Sequence, residues 1–362
     1  MEQMTSYERI HAALRGQAVD RLPFCPFLAY VWEHMPADIQ ERGELAFHHL
    51  VGADPLWRGA PCPVESVTPG LEYLQSTRDG RNYTAVTTPV GTLQMAWMPS
   101  RQGNTQFLIE HPLKTEDDYK VQMWIEEHTH YTYNPAPVVA HLQGQGREGL
   151  SIGMLVPRGK TAFQTLVEHL VGTEELVYAL TDFPETVIAL WEIMLAKDLE
   201  AAALAVDADY PYFLTWEDSS TQNYSPAQYS TYISPEIRGY CEILARQGKG
   251  YVQHACGHVK KLVPIMKTDG VAAVESISSP PTGDIPLTLA REFAGSTMGI
   301  IGGIEPTEFL NLDLPALEAY TERVIADCGG GPFVLANSDS CPPGVTVEKF
   351  QLVAEIAKRH AG

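Results

Sequence analysis

From residue 150 onward, short apolar runs alternate with helical patterns in a steady rhythm. The runs "LSIGMLV", "YPYFLTWED", "GYVQHAC", "VAAVESIS", "MGIIGGI" and "PFVLANS" read as strands. Between them come a helix from about Thr161 to Leu170 and the long amphipathic stretch "PETVIALWEIMLAKDLEAAALAV". Further helices follow in "SPEIRGYCEILARQG" and "LPALEAYTERVIADCGG". Near-continuous apolar strands separated by helices predict a parallel sheet buried on both faces. The fold class is α/β, and the number of units favours a closed (β/α)8 TIM barrel. An open doubly wound sheet is the alternative arrangement.

The first third of the chain has a different pattern. A helix opened by "TS" and stopped by Gly16 leads into a first strand, "DRLPFCPFL". The stretch "RNYTAVTTPVGTLQMAWMP" alternates and turns at "TPVG", which predicts a small inserted β-hairpin near residues 82 to 98. The segment "IEHPLKTEDDYKVQMWIEEH" reads as a loop entering a helix. Without a low-complexity linker or internal repeat, residues 1–362 read as a single barrel domain, its N-terminal extension and hairpin occupying roughly 1–110.

Composition narrows the function classes. Of 362 residues, 44% are hydrophobic and 19% charged, an ordinary globular balance. A formal net charge of −20 leaves no basic stripe to neutralise phosphates, which excludes nucleic acid as an expected partner. No apolar run is long enough for a membrane span, and "MEQMTSYERIHAALRG" lacks the apolar core of a signal peptide, so a cytoplasmic location is expected. The six cysteines are Cys25, Cys62, Cys241, Cys256, Cys328 and Cys341, spread too thinly for a disulfide framework.

A barrel carries its chemistry at the C-terminal ends of its strands. "YFLTW" ends in Glu217 and Asp218, "GYVQ" ends in His254 and Cys256, and "PFVLAN" ends in Asp339 and Cys341. Glu275 and Glu305 stand at further strand ends as pocket liners of undecided role. Alternate strand residues share a face, so His254 and Cys256 point together and can reach one zinc ion. Cys341, in the exposed-looking turn "DSCPPG", would complete a His-Cys-Cys set with one position open for substrate. The structural alternative makes His254 a core histidine and Cys256 a small hydrophobe. His258 falls past the strand end and is not expected to ligate. Glu217 or Asp218 would fill the fourth position or orient His254, with Asp339 a weaker candidate. Both acids could instead cap the following helix. Aromatics near the first strand (Phe24, Phe27, Tyr30, Trp32) and at Tyr210, Tyr212, Phe213 and Trp216 read as core packing or as a lining for an aromatic ligand.

These residues carry a resemblance. From "SYERIHAALRGQAVDRLP" through "GTLQMAWMP", "FQTLVEHLVGTEELVYALTDFPETV", "SPEIRGYCEIL" and "HACGHVKKLVPIMKTDGVAAVESIS", the chain resembles the uroporphyrinogen decarboxylase superfamily. Within it, His254, Cys256 and Cys341 are similar to the His-x-Cys…Cys zinc motif of the corrinoid (cobalamin)-dependent methyltransferase branch. That resemblance implies a Zn2+ cofactor and methyl transfer between a corrinoid and a small molecule. The small molecule would be a thiol acceptor of the coenzyme M type or a methylated donor such as a methoxyaromatic. No Asp-x-His-x-x-Gly corrinoid signature occurs in the chain, so the corrinoid would arrive on a partner protein. A decarboxylase of the parent family is one rival; its substrate-binding arginines are missing from "CPFLAYVWEHMP". A non-catalytic barrel with structural zinc is the other.

Overall fold

A computed structural model describes residues 3–100, 105–145 and 148–360. The chain divides into two compact units: Met1–Pro63, Pro135–Leu155 and Val206–Gly362 form one, Val64–Asn134 and Val156–Ala205 the other.

The first unit is the barrel. Its seven-stranded parallel sheet runs in chain order through Leu56–Ala60, Leu150–Met154, Tyr212–Thr215, Gly250–His254, Ala273–Ile277, Gly299–Ile304 and Phe333–Asn337. The last five of these strands are buried along their whole length apart from Gly250, as the near-continuous apolar runs predict. The expected first strand is reduced to a single parallel bridge between Phe24 and Leu335. Around it, the Cys25 N–H donates to Leu335 O, the Leu335 N–H to Pro23 O, and the Asp54 N–H to Phe24 O. The Phe24 segment thus fills the gap between the last strand and the first and closes the sheet into a TIM-like barrel. Side chains such as Leu56, Ile152, Leu214, Val252, Ala273, Ile301 and Val334 belong to one buried cluster with the helix Ser6–Leu14. That helix starts where expected: Thr5 and Glu8 form a reciprocal capping box.

The second unit corrects the hairpin. The alternating stretch is the middle pair of a four-stranded antiparallel sheet, Glu72–Arg78, Arg81–Thr88, Gly91–Pro99 and Gln106–Glu110. A separate two-stranded ribbon pairs Val64–Val67 with His130–Tyr133. The helices Glu116–His128 and Pro184–Ala205 pack together in this unit. Inside it, Arg158 joins Glu126 at 2.8 Å and Asp198 at 2.6 Å. The helix expected from Thr161 is capped by the Thr161 hydroxyl and continues as a π-helical turn over Leu166–Leu170. Among the described residues, no helix is long and apolar enough to cross a membrane.

Candidate metal centre

His254 is the last residue of its strand, and Cys256 follows two positions later, just before Gly257 turns the chain at φ 95°. Asp218 comes from the loop after Tyr212–Thr215. One donor atom from each of Asp218, His254 and Cys256 lies within 4.8 Å of the others. The His254 Nε2 is 3.1 Å from Asp218 Oδ1, and the Cys256 thiol donates to the same oxygen at 3.4 Å. Imidazole nitrogen, thiolate sulfur and carboxylate oxygen together suit a borderline-soft tetrahedral ion such as Zn2+.

The other ring nitrogen is also held. His254 Nδ1 lies 2.5 Å from Glu275 Oε2, an oxygen that also accepts the Ser276 hydroxyl at 2.9 Å. Register explains the contact: His254 and Glu275 are direct partners on neighbouring parallel strands, so their side chains leave the sheet together. A carboxylate on the free nitrogen of a ligating histidine is the usual support for such a ligand, fixing both ring orientation and basicity. Glu275, undecided from sequence, therefore has a position here. The other Glu275 oxygen faces Arg58 Nε at 3.0 Å.

Electrostatics follow from this packing. Burial works against an imidazolium at His254, yet the Glu275 and Asp218 carboxylates on its two nitrogens outweigh it and raise the group well above its ordinary value. Burial likewise pushes up the Glu275 carboxyl, but His254 and Arg58 together bring it below the usual range. At Cys256 burial prevails and the thiol is raised, with His254 drawing it partly back. Asp339 is raised, chiefly by burial.

An aromatic wall stands beside the cluster. Trp216 meets His254 edge-on with centroids 5.1 Å apart, and Phe27 stacks on Trp216 at 5.9 Å and 7°. Arg58 covers Phe27 at 5.0 Å. Trp216 also comes close to the backbone of Gly59, where an added Cβ would lie 2.8 Å from the indole. Gly59 supplies both that space and a positive φ of 72° at a register shift in its strand. Phe27 and Trp216 are thus the members of the two aromatic groups that line the site. Phe24, Tyr210 and Phe213 are core, and Tyr30 is 59% exposed.

The remaining sequence candidates separate. Glu217 is fully buried and accepts the Thr215 hydroxyl at 2.8 Å, outside the donor cluster. Asp218 alone of the acidic pair reaches His254, through a backbone φ of 42°. Glu305 caps the helix Pro306–Asn311, accepting the Thr307 N–H at 2.7 Å. His258 lies past the strand end, as expected. The exposed turn anticipated for Cys341 is not found: Cys341 is 0% exposed, its N–H donates to Phe27 O at 2.8 Å, and burial raises its thiol. Cys341 does not join the donor cluster as it stands. All six cysteines are free thiols.

Comparison with known proteins decides the family. The family model for uroporphyrinogen decarboxylase (URO-D) matches residues 161–360, more than half of the chain. The chain belongs to the uroporphyrinogen decarboxylase family. No curated protein matches the sequence. Among solved structures, a methyltransferase from Methanosarcina mazei shares the fold with a TM-score of 0.60 at 15% identity, covering 99% of each chain. A B12-independent methionine synthase from Shewanella sp. W3-18-1 is matched at a TM-score of 0.47 and 10% identity, over 94% of this chain and 97% of that one. The family match begins downstream of the arginine-free segment "CPFLAYVWEHMP".

Proposed function

We propose that this family member is a zinc-dependent methyltransferase acting between a corrinoid carried by a separate protein and a small substrate. The substrate is a thiol acceptor or a methylated donor such as a methoxyaromatic. The observation that carries this reading is the Asp218, His254 and Cys256 cluster with Glu275 behind it, set at the strand ends of a barrel. The fold shared with the Methanosarcina mazei methyltransferase is in keeping with it.

In this reading His254 Nε2 and the Cys256 thiolate hold the ion, and Cys341, in the loop after the last strand, supplies the second thiolate. Zinc, when bound, supplies Lewis acidity that keeps a substrate thiol deprotonated or weakens a methyl ether or thioether bond. Asp218, with its side chain 38% exposed and its backbone left-handed, is the carboxylate that gives up its place to substrate. Glu275 keeps His254 oriented by accepting the Nδ1 proton. Trp216 and Phe27 exclude water on one side and offer a flat apolar surface suited to an aryl group. The single chain carries no corrinoid signature of its own, which is why the corrinoid is assigned to a partner.

Metal content of freshly purified, chelator-free protein, wild type beside Cys341→Ala, tests this. The expected result is about one zinc per wild-type chain, lost or weakened in the variant. Methyl donors are then screened with free cob(I)alamin. Protein without zinc would remove the methyltransferase reading. Full zinc retention in Cys341→Ala would remove Cys341 from the ligand set and leave the other residues in place.

A further inference from the structure

Arg58 has no assigned role, yet its side chain is completely buried in the barrel interior. It comes from the strand Leu56–Ala60, which is not a neighbour of Ala273–Ile277 in the sheet order. To meet Glu275 it must therefore cross the barrel. Three contacts fix the guanidinium: Nε at 3.0 Å from Glu275 Oε1, Nη2 donating to Cys25 O at 3.1 Å, and its plane over Phe27. Among the described residues neither its Nε nor its Nη1 makes a hydrogen bond, and Glu275 Oε1 accepts none, so the link to Glu275 is a close ion pair. A buried arginine with two nitrogens short of hydrogen bonds costs stability, so packing alone does not account for it.

The two oxygens of Glu275 face different neighbours. Oε1 faces Arg58, and Oε2 faces His254 Nδ1. We propose that Arg58 is a positioning residue: it fixes the rotation of the Glu275 carboxylate, which keeps the Nδ1–H of His254 engaged and aims Nε2 at Asp218 and Cys256. This role presupposes that His254 and Cys256 hold a metal, but the hydrogen bond it controls exists in the metal-free protein. A lysine cannot copy it fully, because a point-charge ammonium lacks the flat guanidinium that lies over Phe27 while reaching both the Cys25 carbonyl and Glu275.

The test is a cycle of Arg58→Met, Glu275→Gln and the double variant, with Arg58→Lys as the conservative change. Two readouts are taken: zinc affinity by competition with a chromophoric chelator, and the Nδ1–H resonance of His254 in 1H–15N spectra of metal-free protein. Arg58→Met is expected to weaken zinc binding roughly 10- to 100-fold and to broaden or abolish the protected Nδ1–H signal. Arg58→Lys should recover part of both. In the Glu275→Gln background, removing Arg58 should cost less than about twofold more, because its effect runs through that carboxylate. Equal losses in both backgrounds, or an unchanged Nδ1–H signal in Arg58→Met, would overturn the assignment. Should Arg58→Met fail to fold, Arg58→Lys carries the same cycle with a smaller effect. If the wild type binds no zinc, the metal reading fails, and the metal-free spectra still decide the role of Arg58.

Discussion

Asp218 Oδ1 lies 3.1 Å from His254 Nε2, and Asp218 reaches that point with a left-handed backbone, φ 42°. Ser276, next to Glu275, is also left-handed at φ 74°. Non-glycine residues in this region carry strain of order ~1 kcal/mol or more, and here two of them flank one cluster. Asp218, which brings one of the two carboxylates to His254, is therefore not in a relaxed conformation, while Glu275 brings the other from ordinary strand geometry.

Asp218→Gly separates strain from chemistry. The variant keeps the backbone shape without the steric cost and loses the carboxylate. It should bind zinc at least about tenfold more weakly, yet unfold in urea at a midpoint no lower than wild type. Asp218→Ala should be less stable than Asp218→Gly by about 1 kcal/mol. Identical urea midpoints for Ala and Gly would show that the backbone there is not strained.

Cys256→Ser preserves shape while replacing the thiolate with a poor zinc ligand. Zinc affinity should fall by about tenfold or more, measured by chelator competition, with little change in melting temperature of the metal-free protein. Cys62→Ser, in a loop outside the donor cluster, should leave the metal in place.

Asp54 tests the anchoring of the N-terminal helix. It is fully buried and accepts from Arg9 Nη1 at 2.5 Å, Arg21 Nη1 at 2.7 Å and the Ser6 hydroxyl at 2.7 Å. Asp54→Asn leaves the buried Arg9 short of a counter-charge. A loss of about 3 kcal/mol in unfolding free energy is expected from urea titration, well above the effect of a surface change.

His48 should make the protein acid-sensitive from about pH 6.5 downward. Burial lowers this imidazole from 6.5 to about 4, while its Nδ1–H donates to Glu44 O at 2.8 Å and Nε2 is buried with no hydrogen-bond partner among the described residues. The unfolded chain therefore takes up a proton below about pH 6.5 that the folded chain refuses until about pH 4. Stability falls as pH drops through that window, by about 3 kcal/mol in total, and the contribution changes no further below it. His48→Gln should flatten this part of the stability profile. An unchanged slope would show that the imidazole is solvated enough to titrate normally.

Residues 150 to 362 were the most legible, because a strand covered by helices on one face and by the barrel interior on the other must be apolar throughout. The pairing of His254 with Cys256 was also readable, since a two-residue spacing puts both on one side. The acidic pair Glu217 and Asp218 was readable as a location and not as a choice. Which acid turns toward His254 depends on one left-handed residue that no local pattern announces. Glu275 depended on register: nothing within "VAAVESIS" says that Glu275 stands beside His254 and not one position away.

The sequence by itself determined the α/β alternation, the strand ends where donors gather, and the His254 and Cys256 pair. These are properties of single elements, set by side-chain period and burial. Tertiary structure alone decided that Asp218 joins them, that Glu275 holds the second ring nitrogen, that Arg58 crosses the barrel to Glu275, and that Cys341 is buried. It also extended the expected hairpin to four strands. The Glu275, Arg58 and Cys341 placements rest on register or closure between segments far apart in the chain, and such pairings leave no period in the local sequence to read.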